Sequence, residues 1–195
     1  MDIDWNEAAA TFDEDADHGL RDPAVRAAWD ERLRGWLPDR AGDFLDLGCG
    51  TGSLSLLAAE RGHRVTAVDL APRMTERART KLAGTGAEVL TGDAARPPVE
   101  GRTFDAVLAR HVVWTLPDHE AALRHWWSLL RPAGRLILVE GVWGGAGIPA
   151  ERLMAALAPL NAEARYERLS EDARLWGRAV DDERYVVVAT ASAGG

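Results

Sequence analysis

Asp43-Phe44-Leu45-Asp46-Leu47-Gly48-Cys49-Gly50-Thr51-Gly52-Ser53-Leu54 decides how this chain is read. Phe44 to Leu47 is a short apolar run that predicts a buried strand. Glycines follow at alternate positions, Gly48, Gly50 and Gly52, and then a helical pattern, Leu54, Leu57, Ala58. Strand, glycine turn and helix is the layout of a nucleotide-binding βα unit. Without a Cβ the backbone can turn sharply and a ligand can come close. The free N–H groups of a helix start point at whatever sits there.

Outward from this stretch the chain alternates strands and helices. On its N-terminal side, Asp22-Pro23 starts a helix in which Val25, Trp29, Leu33 and Trp36 recur at helical spacing, ended by Pro38 and Gly42. Before it, residues 1–21 predict a short helix near 5–11 and then loop. On the C-terminal side the pattern predicts a helix over 51–61, a strand at 64–69, a helix from Ala71-Pro72 to Leu82, and a strand at 88–91. A strand at 104–109, a helix over 118–130, a turn at 131–134 and a strand at 136–140 come next. A glycine-rich loop over 141–147, a helix near 150–160, and strands at 165–169 and 184–190 complete it, with residues 191–195 expected to fray.

Five strands alternating with helices predict a parallel sheet wound on both faces. Only a loop separates the last two strands, too short for a crossover, so the last strand should run antiparallel. The expected fold is α/β, a doubly wound, Rossmann-like sheet of about seven strands with an antiparallel last strand. The expected organisation is a single domain over 1–195. It comprises an N-terminal helical segment (1–40), a core carrying the glycine turn (41–141), and a C-terminal helix with the closing hairpin (142–195).

Composition narrows the function. The 195 residues are 47% hydrophobic, enough for one sizeable core and too many for a disordered chain. A formal net charge of -8 argues against an electrostatic grip on nucleic acid. Cys49 is the only cysteine, so no intrachain disulfide and no thiolate cluster can form. No apolar run is long enough to span a membrane. The expectation is a soluble, cytoplasmic protein with a small-molecule partner, no nucleic acid, no membrane and no metal. Oligomeric state is not legible.

The run Asp46-Leu47-Gly48-Cys49-Gly50-Thr51-Gly52 resembles the first motif of the class I S-adenosylmethionine-dependent methyltransferases, small-molecule type. The competing dinucleotide fingerprint wants glycine where Ser53 stands, and gives no role to Asp46. The antiparallel closing hairpin also suits the methyltransferase family, and the resemblance runs from about residue 40 to 190. It departs at Pro132-Ala133-Gly134, where the family usually shows Pro-Gly-Gly.

The resemblance implies that the segment over 1–40 is a lid and that the core over 41–141 binds a cofactor. It implies S-adenosyl-L-methionine as that cofactor and assigns its contacts. Asp69, ending the second strand, would accept hydrogen bonds from both ribose hydroxyls, for which a carboxylate's paired acceptors are suited. Dinucleotide enzymes also place an acid there, and its bland role is to cap the next helix. Asp93 would accept from the adenine amino group and Ala94 would donate its N–H to the ring, with Leu70 and Met74 against the adenine. An ordinary turn aspartate and ordinary core residues are the plain alternatives. Asp46 would orient the methionine part; a charge in a buried strand otherwise needs a buried partner. Gly48, Cys49 and Gly50 would pass the methionine tail, with Cys49 simply a small side chain that fits. Arg110 would line that tail or bind an acidic substrate group.

His111 follows the fourth strand, where ligands of open α/β sheets bind. Its ordinary pKa near neutrality makes it the candidate base; a locally satisfied histidine is the alternative. Trp114, Trp143 and Trp5 would form an aromatic rim for a flat or apolar acceptor, and singly each could be plain hydrophobic cover. His18, His63, His119 and His125 read as loop or surface. The expected enzyme is a methyltransferase acting on an N, O or C nucleophile. A nicotinamide-dependent oxidoreductase and a non-catalytic S-adenosylmethionine-binding module are the alternatives.

Overall fold

A computed structural model describes residues 3–160 and 162–191. Strand β1 (Asp43–Leu47) is buried beyond its first residue and lies at the centre of one sheet. Strand β2 (Arg64–Asp69) pairs with it in parallel on one side, and β4 (Phe104–Arg110) on the other. Beyond β2 lies β3 (Glu88–Thr91); beyond β4 lies β5 (Leu130–Trp143). Strands β7 (Glu163–Arg168) and β8 (Glu183–Thr190) close the sheet as an antiparallel hairpin, with β8 against β5. The order is β3-β2-β1-β4-β5-β8-β7, with a two-residue strand β6 (Ala146–Gly147) on β5. Strand order reverses between β1 and β4, so a crevice opens past their carboxyl ends.

The alternation of each strand sorts its side chains onto two faces. Phe44, Ala106, Leu108, Ile137 and Val139 pack with helix α3 (Pro23–Trp36) and helix α4 (Ser53–Glu60). Leu45, Leu47, Val107, Ala109, Leu136 and Leu138 pack with α6 (His119–Ser128) and α7 (Ala150–Leu157). Helix α5 (Pro72–Lys81) flanks β2 and β3. Trp29 and Trp126, one per face, are fully buried. Each also satisfies its indole N–H, on Leu175 O at 2.7 Å and Ala94 O at 2.8 Å. Burying one large apolar side chain stabilises by roughly 1.5–3 kcal/mol.

Several segments depart from expectation. The N-terminal helix expected at 5–11 stops early as α1 (Trp5–Ala8), followed by a 3-10 turn (Phe12–Glu14) and α2 (Ala16–Gly19) where loop was expected. Residues 131–134 are not a free turn. They lie within β5, which meets β4 on both sides of a bulge, and Ala133 takes φ +60° there. The glycine-rich loop is the end of β5, a tight turn at Gly144-Gly145, and β6. The connection between β7 and β8 contains one helical turn, α8 (Ala173–Trp176). Of the tail expected to fray, residues 192–195 lie outside the described residues.

Candidate functional site

A cavity of about 880 Å³ opens past the carboxyl ends of β1, β2 and β4. Every residue singled out from the sequence lines it: Asp46, Gly48, Cys49, Gly50, Asp69, Leu70, Met74, Asp93, Ala94, Arg110, His111, Trp5, Trp114 and Trp143.

At the β1–β3 end, the carboxylates are held by the backbone around them. Asp69 Oδ2 accepts from the Gly50 N–H at 2.8 Å, and Oδ1 from the Ala71 N–H at 2.9 Å. One side chain therefore ties the glycine turn to the entry of α5. Each oxygen keeps a second lone pair for a ligand. Burial raises the Asp69 pKa against those two bonds. Asp46 has the buried partner its position demands: Ser55 on α4 donates to Oδ2 at 2.6 Å. Burial still pushes its carboxyl up to about 6. Asp93 is exposed and accepts from the Ala95 N–H at 2.8 Å, the local turn bond. Ala94 is fixed from behind by Trp126. Leu70 is 65% exposed beside Met74 at 2%. Burial pushes the Cys49 thiol well up, which keeps it unreactive.

The glycine turn takes positive φ at Gly48 (+65°) and Gly50 (+56°). A Cβ at Gly48 would meet Val112 Cγ2 at 2.3 Å, and one at Gly50 would meet Phe12 at 3.0 Å. Both the conformation and the close approach require glycine.

The other end of the cavity is built differently. His111 takes φ +59°, a strained conformation for a residue with a Cβ. Its N–H donates to Val139 O at 2.9 Å, and its ring packs on Trp143 at 4.6 Å between centroids. Nε2 is enclosed with no hydrogen-bond partner among the described residues. Burial, and then the Arg110 charge, hold its pKa well below the usual value, so the ring is neutral at neutral pH. Trp114 stands edge-on to Trp143, and its enclosed indole N–H is likewise without a partner among the described residues. Arg110 lies over Trp29 and donates to the backbone oxygen of Asp17.

Three features escaped the sequence. Glu140 sits fully buried on β5; its Oε1 accepts from the Val112 N–H at 2.9 Å and the Val113 N–H at 2.7 Å, which fixes the turn carrying His111. Burial pushes its carboxyl up to about 8. Period-two patterning cannot distinguish a buried glutamate from a strand-end one. His18, read as loop or surface, instead faces the cavity, stacked on Phe12 and edge-on to His111. Outside the site, His63 likewise departs from that reading, being buried rather than at the surface and accepting from the Gly42 N–H at 3.2 Å.

The third is a latch. Thr51 donates to Asp13, and Lys81, the only lysine of the chain, donates to Asp13 (3.1 Å), Thr51 (2.8 Å) and Ser53 (2.8 Å). It clamps the 3-10 turn over the glycine turn. Ser53, where a dinucleotide fingerprint wants glycine, is thus one of the latch's acceptors.

Comparison with known proteins bears on this geometry. Residues 45–138 match the methyltransferase domain family. A malonyl-[acyl-carrier protein] O-methyltransferase of Serratia marcescens is 39% identical over 108 residues, 55% of this chain and 42% of that protein. An aklanonic acid methyltransferase of Streptomyces is 33% identical over 136 residues, 67% of this chain and 61% of that protein. The chain thus spans about half the length of the curated relatives it matches. Among solved structures, the N-methyltransferase NodS from Bradyrhizobium japonicum, in complex with S-adenosyl-L-homocysteine, superposes with a TM-score of 0.75 at 18% identity. That superposition covers 97% of this chain and 99% of that one. At such identity it speaks for the fold alone.

Proposed function

We propose, since this chain belongs to the class I S-adenosylmethionine-dependent methyltransferases, that it transfers the cofactor's methyl group to a small-molecule acceptor at N, O or C. The observation that carries this reading is that one cavity joins a glycine turn flanked by Asp46, Asp69 and Asp93 to an aromatic chamber around His111. The residues present fit the cofactor. Asp69 has two lone pairs left for the ribose hydroxyls, and Gly48 and Gly50 line the cavity with bare backbone along which the methionine tail would pass. Asp93 and Ala94 would hold the adenine edge, with Leu70 and Met74 against its face. Asp46, Cys49 and Arg110 would border the methionine part. When bound, the cofactor supplies a methyl on a sulfonium, an electrophile already activated.

The protein's own share is position and proton handling. Trp114 and Trp143 shape a chamber for a flat or apolar acceptor, whereas Trp5, expected on the same rim, packs with Ala71 and Met74 at the other end of the cavity. Holding the acceptor in line can contribute on the order of 7–11 kcal/mol in favourable cases. His111, neutral and at the chamber wall, is the group we assign to removal of the acceptor's proton. Of the segment over 1–40 expected as a lid, the part before α3 serves as one, since α3 itself packs in the core; the Asp13–Thr51–Lys81 latch supports that role by holding the 3-10 turn over the glycine turn. A closed lid excludes water during transfer.

Two measurements test the reading. S-adenosylhomocysteine should raise the melting temperature by mass action and NAD should not. Labelled methyl from S-adenosylmethionine should then appear on members of a panel of aromatic small molecules. Stabilisation by NAD alone would instead support the nicotinamide alternative. Tight S-adenosylhomocysteine binding without transfer to any acceptor would support a non-catalytic module.

A further inference from the structure

The α2 turn and the end of β4 each present two polar residues in succession, Asp17-His18 and Arg110-His111, and the fold sets these pairs face to face. Arg110 joins them by donating to the Asp17 backbone oxygen. One donor atom from each of Asp17, His18 and His111 lies within 4.8 Å of the others. His18 Nε2 is 3.7 Å from Asp17 Oδ2, and its Nδ1 is 3.4 Å from Asp15 Oδ2. His111 Nε2 is enclosed with no hydrogen-bond partner among the described residues, while His18 Nδ1, the nitrogen near Asp15 and not the one near Asp17, makes no formed bond either. An orphaned ring nitrogen beside a carboxylate and a second imidazole calls for a proton, a water or an ion.

We propose that Asp17, His18 and His111 hold a divalent first-row transition-metal ion at the acceptor end of the cavity. Two imidazoles and a carboxylate suit Fe²⁺, Co²⁺, Ni²⁺ or Zn²⁺ rather than Mg²⁺ or Ca²⁺, which take oxygen donors. Bonds of about 2.0–2.2 Å need ligand atoms roughly 3–3.5 Å apart, so the side chains draw in by about 1 Å. Asp15, behind the other nitrogen of His18, is placed as the carboxylate that commonly orients a ligating imidazole. Two cations face the site, Arg110 and Arg184. Arg110 is turned onto Trp29 and the Asp17 carbonyl, and Arg184 is paired with Asp182.

All three ligands line the cavity, which leaves the remaining coordination positions facing the acceptor. Its use there rests on the methyl-transfer reading; its existence does not. An acceptor hydroxyl on the ion loses its proton to solvent more readily. The freed oxygen pair forms the new C–O bond as the S–CH₃ bond breaks, with that pair left on sulfur. With the ion bound, His111 Nε2 serves as ligand and the ion does the acidifying.

The probe is Co²⁺, added to the untagged, chelator-stripped full chain. Expected are visible d–d bands saturating at one equivalent, with affinity at least about tenfold weaker in His18→Ala, in His111→Ala and in the near-isosteric Asp17→Asn. His125→Ala, on α6 away from the cavity, should bind as the parent does. Far-ultraviolet circular dichroism and the melting temperature of each variant report that it is folded, and S-adenosylhomocysteine binding is measured in parallel. Folded parent with no cobalt band, or Asp17→Asn and His18→Ala that both bind as tightly as the parent, overturns the site. Cobalt binding without S-adenosylhomocysteine binding leaves the site standing and overturns the methyltransferase reading instead; the reverse overturns the site alone.

Discussion

The two ends of the cavity differ in how their polar groups are satisfied. At the β1–β3 end, Asp46, Asp69 and Asp93 all have partners, from Ser55, from the Gly50 and Ala71 N–H groups, and from the Ala95 N–H. At the β4–β5 end, His18 Nδ1, His111 Nε2, Trp114 Nε1 and Glu140 Oε2 have none among the described residues. Left-handed backbone occurs at both ends, at Gly48, Gly50 and Gly52 on one side and at Gly177 and the non-glycine His111 on the other. Buried groups without partners and strained non-glycine backbone destabilise a fold, by about 1–3 kcal/mol each. They are retained where a ligand completes them. The first end is therefore complete in itself, and the second keeps polar atoms that only an added group could satisfy.

The hardest test of this contrast is His111→Ala. It should lower methyl-transfer turnover by about 10²–10⁴-fold, whether the ring acts as base or as ligand. S-adenosylhomocysteine affinity should stay close to that of the parent. Comparable losses in both would erase the division between the ends.

The opposite signature is expected of Asp69→Ala. Charge-assisted hydrogen bonds to ribose contribute roughly 1.5–3 kcal/mol each, less compensation by water. Calorimetry should show S-adenosylhomocysteine bound at least about tenfold more weakly. Because the same carboxylate ties Gly50 to Ala71, some loss of melting temperature accompanies it. Parental affinity in a folded variant would remove Asp69 from the ribose.

The two ends also differed in what the sequence disclosed, for the same reason. The binding end is built from consecutive residues, so the glycine triplet and the strand-end aspartates announce it. Most of the fold followed from local periodicity: seven main strands stand where strands were expected, though β5 extends well beyond 136–140 on both sides, and the hairpin closes antiparallel. The acceptor end joins residues far apart in sequence. Nothing local says that His18 will meet His111, or that Glu140 will reach back to Val112. A single lysine in an arginine-rich chain gave no hint that it would latch Asp13 to Thr51. The β5 bulge was hidden because Pro132-Ala133-Gly134 has the composition of a turn.

Glu140 turns the contrast into a pH dependence. Its folded pKa, about 8, lies above the ordinary 4.5 of an unfolded glutamate. A raised pKa means that the folded state holds the proton more tightly. The resulting stability is fully present below pH 4.5 and is lost as pH rises through 8. The slope is at most about 1.4 kcal/mol per pH unit between those limits. Glu140→Gln keeps an acceptor for the Val112 and Val113 N–H groups but cannot ionise. Melting curves should show the variant gaining on the parent from pH 5 to pH 8. A constant difference across that range would mean that Glu140 is ionised in the fold.

The smallest expected effect calibrates the strain itself. Ala133, at φ +60° on β5, stands where the family usually has glycine, and it is not among the residues lining the cavity. A left-handed conformation costs an L-residue roughly 1–2 kcal/mol. Glycine relieves that, but its freer unfolded chain takes back about 0.5–1 kcal/mol. Ala133→Gly should therefore stabilise by up to about 1 kcal/mol, a rise of roughly 2–4 °C in melting temperature for a chain of this size. Activity should be unchanged. The same substitution at His111 removes the same backbone strain together with the ring. If the strain at His111 is local, His111→Gly should be more stable than His111→Ala by about the margin that Ala133→Gly shows over the parent. If His111→Gly shows no such margin, the left-handed turn there is set by Glu140 and β5 without cost to the residue that occupies it, and the β4–β5 end is strained only in its unpaired polar atoms.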